Sequence, residues 1–190
     1  MNREARLGRR LAVYGPGFVF LALLQLMLSL YSGFPTPDFL LLFPLLAALW
    51  TPGYDGFILG LAAGFIRDYA AGRGYGLGML VVMILCLCGN ALARDGWKNY
   101  AFRASLLVVG ATVVHALTMA VFAWLVPLDQ IFSTFGATIR IALARLPLRL
   151  LANVGGALLV SGYFWLCFLQ RKPGEAGPDL TVRAKEVTHE

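Results

Sequence analysis

Long uncharged apolar runs, separated by short polar segments, dominate the pattern of this 190-residue chain. A helix needs about 20 mostly apolar residues to cross a hydrocarbon core of about 30 Å, because each residue advances it by about 1.5 Å. Four runs are free of charged residues and reach that length: 11–37, 74–93, 104–128 and 150–170. The pattern therefore predicts four transmembrane helices at these positions.

Two further helices are predicted between the first two of these runs. The first, 38–50, is short and contains Pro44, so it would cover only about 20 Å. It must be tilted, extend across its flanks or pack inside the bundle. The Pro-Gly pair in 51–55 predicts a turn, and 56–72 then forms the next helix. The chain is thus predicted to form an all-α polytopic membrane bundle of about six helices.

The segments outside these spans have different characters. Residues 129–147 place apolar positions before several arginines, which predicts an amphipathic helix on the outer surface or a long extension of the last span. Residues 171–190 hold four basic and four acidic residues with two prolines and two glycines, a composition typical of a disordered tail. We therefore expect a basic N-terminal segment at 1–10, a six-helix domain at 11–170 and a tail at 171–190.

The composition excludes several classes of protein. The chain is 59% hydrophobic and 14% charged, with a mean hydropathy of +0.73, whereas a soluble domain is roughly 45–50% apolar and about 25% charged. A soluble enzyme and a disordered regulator do not fit these values. The three cysteines lie inside predicted spans, so we interpret them as small buried hydrophobic residues rather than as a disulfide framework.

The charges act as topology signals. The net charge is +6, but the basic residues cluster at the ends of apolar runs, which does not predict a nucleic-acid-binding face. With six spans and the N-terminus inside, eleven of the 16 basic residues lie on the inner side, and the excess predicts that both termini are cytoplasmic. These eleven are Arg3, Arg6, Arg9, Arg10, Arg94, Lys98, Arg103, Arg171, Lys172, Arg183 and Lys185.

A stripe of small residues marks the third predicted helix: Gly56, Gly60, Gly64, Asp68 and Gly72, each four positions apart. Glycines at this spacing leave one helix face without side chains, so a neighbouring helix backbone can approach closely. Asp68 continues the stripe and is expected to face the protein interior. Such a carboxylate either holds or caps a neighbouring helix through hydrogen bonds, or handles a substrate or proton.

Arg67 is adjacent to Asp68 in the sequence, but neighbouring residues on a helix point about 100° apart. A direct pair between the two is therefore not expected. Arg67 is predicted near the outer end of its helix, where its side chain would extend to the interface. The alternative is contact with a lipid headgroup or a substrate.

His115 lies in the middle of an apolar span. It either hydrogen-bonds across a helix pair, or it relays protons or meets Asp68. The same reasoning predicts hydrogen bonds between helices for Asn90, Asn153, Gln25 and Ser29.

Motifs typical of enzymes and metal proteins are missing from the sequence. It has no Gly-x-Ser-x-Gly, no His-Glu-x-x-His, no Gly-Lys-Ser/Thr phosphate loop and no Cys/His cluster. We therefore predict a protein that is not an enzyme and that needs no cofactor or metal.

The motifs together resemble the rod shape-determining protein MreD family. They are Pro37-Asp38 at the opening of a Leu-rich span, a Gly-x-x-x-Gly-x-x-x-Asp-x-x-x-Gly helix, Gly-Tyr-Gly-Leu-Gly at the entry to the next span, and Asn153 in the last. A basic loop stands between the fourth and fifth spans. The resemblance covers about 11–170, and it departs from the family pattern at Gly78-Met79, where a bulkier or polar residue is expected.

The resemblance implies a non-enzymatic scaffold in the bacterial inner membrane that supports lateral peptidoglycan synthesis and cell shape. Its implied partners are the bitopic protein MreC, a peptidoglycan glycosyltransferase with a penicillin-binding transpeptidase, the lipid bilayer and, indirectly, an actin-like filament. The family is also thought to share the fold of the substrate-binding subunits of energy-coupling-factor vitamin transporters, which provides an alternative function. Candidate partner contacts are Asp38, Arg67, His115, Arg140, Arg145 and Arg149.

Overall fold

The computed structural model describes residues 3–31, 35–51, 53–70, 76–92, 97–126 and 134–169. Across these residues the chain forms six α-helices and no strand. Some predictions concern residues outside this set: Gly72 of the glycine stripe, most of the loop before the last helix, and the tail 171–190. The helices are α1 Arg3–Tyr31, α2 Phe39–Trp50, α3 Asp55–Ala70, α4 Leu77–Leu92, α5 Trp97–Leu125 and α6 Phe135–Leu169.

Three of the described helices contain stretches long and apolar enough to cross a membrane: Arg10–Leu30, Tyr100–Leu125 and Phe135–Phe168. Helices α2 and α4 are apolar but shorter. The prediction of an all-helical membrane protein therefore agrees with the structure. The prediction that all six helices cross the bilayer stays a prediction.

Two helices begin earlier than the uncharged runs suggest. Helix α1 begins at Arg3 instead of residue 11, and α5 begins at Trp97 instead of residue 104. The reason is that charge does not end a helix, since arginine and lysine have high helix propensity. The apolar run marks only the part of each helix that favours lipid or a protein core.

Helix α6 unites two segments that the sequence left separate. It runs without interruption from Phe135 to Leu169 and contains Pro147. The sequence left two alternatives for 129–147, a separate amphipathic helix or an extension of the last span. The described part of this segment forms an extension of the last span. Proline removes one backbone donor, and long helices in membrane proteins tolerate this loss where neighbouring groups satisfy the freed carbonyl.

Helix α2 is the centre of the fold. All of its residues except Trp50 are buried, and Leu42, Phe43 and the segment 45–48 are 0% exposed. It contacts each of the other five helices. The sequence left three possibilities for this short helix: a tilt, an extension across its flanks, or packing inside the bundle. The structure shows that it packs inside the bundle.

The glycine stripe lies where α3 packs against α2 and α4. A Cβ atom added to Gly60 would lie 2.8 Å from Cys86 Sγ, and one added to Gly64 would lie 2.7 Å from the backbone nitrogen of Met79. Gly56 is equally close to α2. These helices approach at distances that no larger residue permits.

Candidate functional site

A polar cavity of about 490 Å³ opens between α1, α2, α3, α5 and α6. It lies at the end of the bundle where α1 ends and α2 begins. An all-helical membrane protein seldom collects so many polar groups in one place unless they hold helices together or bind a ligand. The polar lining consists of Gln25, Ser29, Thr36, Asp38, Arg67, Asp68, Thr112, His115, Arg149 and Asn153.

Three side chains from three helices meet at one wall of the cavity. Arg67 Nη2 donates to Asp38 Oδ2 in an ion pair, and Arg67 Nη1 lies 2.8 Å from His115 Nε2. A guanidinium can only donate, so the ring nitrogen accepts, and the His115 ring carries its proton on Nδ1. Arg67 therefore bridges the start of α2 to α5.

This contact corrects the expectation for Arg67. The side chain does not extend to the interface but lies in the cavity with 17% of its surface exposed. The physical reason is that an ionised partner, Asp38, stands within reach, and an ion pair in a cavity is more favourable than an extended side chain beside lipid. Of the alternatives for His115, the structure shows the hydrogen bond across a helix pair, from Arg67 of α3 to His115 of α5.

The first turn of α2 is held by side chains from three places. The backbone N–H of Asp38 donates to Asn153 Oδ1 at 2.8 Å, that of Phe39 to Gln25 Oε1 at 2.9 Å, and that of Leu41 to Asp38 Oδ1 at 3.1 Å. Free N–H groups at a helix start need partners, and inside a bilayer water cannot provide them. The cavity thus forms around the N-terminus of α2.

Asn153 links this turn to α5. Its Nδ2 donates to Thr112 Oγ1 at 2.9 Å, and the Thr112 hydroxyl donates to the Val108 carbonyl at 2.7 Å. Both polar residues are buried. Thr112 was not predicted as a site residue. The sequence did contain a signal for it, because Thr112 is a polar residue in the same apolar span as His115 and lies three positions before His115.

Asp68 acts at a different helix end. Its Oδ1 accepts from the Gly78 N–H at 3.1 Å and its Oδ2 from the Met79 N–H at 3.2 Å, so the carboxylate caps α4. Of the interpretations left open for this residue, the geometry favours a structural contact with a neighbouring helix. A Cβ at position 78 would collide with the carboxylate, so glycine at this position allows the cap.

The three arginines of α6 differ in their positions. Arg149 lines the cavity, whereas Arg140 and Arg145 are exposed and do not. Asn90 lies away from the cavity, where its Oδ1 accepts from the Gly53 N–H at 3.1 Å in the α2–α3 turn. Among the described residues, no group of three His, Cys, Asp or Glu side chains could hold a metal ion.

No family model, no curated protein and no solved structure matches this chain. Most of the cavity's polar groups bind one another, which suits a rigid polar centre.

Proposed function

We propose that this protein is a non-enzymatic scaffold in the bacterial inner membrane, of the MreD type, that supports lateral peptidoglycan synthesis and cell shape. One observation supports the proposal most directly. The residues on which the resemblance rests, Asp38, Asp68 and Asn153, bind helix ends and other helices instead of standing free. Polar residues used in this way stabilise one arrangement of helices, as a scaffold requires.

The outer surface of the bundle is also suited to partner helices. The long helices carry exposed apolar side chains such as Phe20, Phe102 and Leu158. Such faces contact lipid or the transmembrane helices of other proteins. In the proposed topology all six helices cross the membrane, both termini are cytoplasmic, and Arg140 and Arg145 face the outer side, where a bitopic partner could be bound.

We expect the tagged protein to co-purify with the MreC-like bitopic partner from a host that makes both. Joint replacement Arg140→Ala with Arg145→Ala should weaken this capture several-fold, because rim charges contribute to association. The matched control is Arg183→Ala with Lys185→Ala, which removes the same charge from the predicted cytoplasmic tail. No capture of the partner by the wild-type protein would contradict the proposal.

The cavity itself favours a second candidate, a vitamin-binding subunit of an energy-coupling-factor transporter. Its volume of about 490 Å³ and its convergent polar groups are typical of small-molecule sites. This candidate predicts that the purified protein binds one water-soluble vitamin with a Kd of about 1 µM or lower, and that it recruits an ATPase pair. Calorimetry with a vitamin panel measures the first property, and an absence of heat for all of them would exclude this candidate.

A further inference from the structure

An apolar cleft separates α1 from α6 beside the polar cavity. At one end the two helices touch: the Tyr163 hydroxyl donates to the Val13 carbonyl at 2.7 Å, and a Cβ on Gly17 would lie 2.7 Å from Tyr163 Oη. Further along, a cleft of about 240 Å³ lies between them, floored by Phe39 of α2. Its other lining includes Phe20, Leu21, Leu24 and Leu159.

The cleft adjoins the cavity. Leu24 lines the cleft and the next residue, Gln25, lines the cavity, while Phe39 lines the cleft and Asp38 lines the cavity. The hydrogen bond from the Phe39 N–H to Gln25 Oε1 stands at this boundary. The apolar cleft and the polar cavity are therefore neighbours between α1 and α6, and the start of α2 lies at their boundary.

The charges in the cavity leave one cation without a counterion among the described residues. Asp38 is paired with Arg67, and Asp68 caps α4. No carboxylate in the described part of the chain forms an ion pair with Arg149, which is exposed toward the cavity. The planar guanidinium of an arginine binds acidic oxygen groups, above all phosphate, through paired charge-assisted hydrogen bonds.

We propose that the cavity and the cleft together bind one anionic phospholipid. Its phosphate lies against Arg149, and one of its hydrocarbon chains lies in the cleft between α1 and α6. Phe20 and Leu159, which line the cleft, are 66% and 68% exposed, so the cleft is open along its side and a lipid can enter from the bilayer. A soluble anion would use Arg149 but would leave the apolar cleft empty.

The first test compares ligands on the wild-type protein. Purified protein in a neutral detergent is titrated with dioleoyl-phosphatidylglycerol, dioleoyl-phosphatidylcholine or glycerol phosphate, and native mass spectrometry measures the bound fraction. We expect phosphatidylglycerol to bind about tenfold more tightly than phosphatidylcholine, because both lipids carry the phosphate but the choline cation of phosphatidylcholine cancels its net charge and is repelled by Arg149. Glycerol phosphate should bind far more weakly than either lipid.

The second test uses two matched pairs of variants. Arg149→Ala should lower the affinity for phosphatidylglycerol to that for phosphatidylcholine, whereas Arg145→Ala should preserve the preference, because Arg145 is one turn away on α6, also exposed and outside the cavity lining. Leu159→Trp should weaken binding of both lipids by obstructing the cleft, and Leu158→Trp, which points elsewhere on α6, should not. All four positions are exposed, so the variants are expected to fold.

Three results would overturn the proposal. Equal affinity of the wild-type protein for both lipids would show that no acidic headgroup is selected. An equal loss in the Arg145 and Arg149 variants would indicate a diffuse surface charge. Binding of glycerol phosphate as tight as that of phosphatidylglycerol would assign the site to a soluble anion. None of these results depends on partner capture, so the lipid site and the proposed scaffold function are tested separately.

Discussion

Gly64→Ala is expected to lower the free energy of unfolding by about 3 kcal/mol, near the upper end of the usual cost of overpacking. The added Cβ would lie 2.7 Å from the backbone nitrogen of Met79. A flexible side chain could move aside, but here the obstacle is backbone, so α3 and α4 must separate. Separation would also lengthen the hydrogen bonds from the start of α4 to Asp68.

The matched control is Gly155→Ala, since a Cβ at Gly155 on α6 would meet nothing within 4 Å. We expect this variant to be as stable as the wild type or up to about 1 kcal/mol more stable, because alanine has the higher helix propensity. Unfolding by titration with SDS in mixed micelles, followed by circular dichroism, measures both values. If Gly64→Ala were as stable as Gly155→Ala, close approach of α3 and α4 at Gly64 would not contribute to stability.

Asp38→Asn and Arg67→Gln are each expected to lower the free energy of unfolding by about 3 kcal/mol, because either change leaves the other charge uncompensated in the protein. The two side chains are only 20% and 17% exposed, so water screens the remaining charge poorly. Asn at position 38 still has a side-chain oxygen that accepts from the Leu41 N–H, so the cap of α2 is kept. The Asp38→Asn variant therefore measures the effect of the lost charge alone. The double variant should therefore lose clearly less than the sum of the two single variants.

A double-mutant cycle measures this coupling, and the chain provides a control pair. Arg10 and Asp55 form the other described ion pair, at 3.1 Å, with side chains 37% and 27% exposed. Arg10→Gln with Asp55→Asn should give a coupling of about 0.5 kcal/mol. If the Asp38–Arg67 cycle were additive, the ion pair would not contribute to the stability of the fold.

Local spacing predicted the parts of the fold that depend on one helix alone. The four-residue repeat of Gly56, Gly60 and Gly64 indicated the packed face of α3, and these residues are buried. The same spacing placed Asp68 on that face. The Pro-Gly turn separated α2 from α3 close to the observed ends of both helices. Each of these features follows from periodicity or turn chemistry within a few residues.

The pairings between helices could not be predicted in this way. Arg67 binds Asp38 and His115, which are 29 and 48 positions away. Periodicity gives the direction of a side chain around its own helix, but it does not identify the helix that lies opposite. The position of Arg67 near a helix end therefore suggested the interface, and only the tertiary structure shows its partners.

The central position of α2 has a consequence for how the chain is made. Its 12 residues cover about 18 Å, and the N–H of Asp38 finds its acceptor only in Asn153, 115 positions later. At a synthesis rate of roughly 5–20 residues per second, about 10 s pass between the synthesis of Asp38 and that of Asn153. The most apolar segment of the protein is therefore among the last to reach its native surroundings, and nascent chains are most vulnerable to misassembly and proteolysis until α6 has emerged from the ribosome.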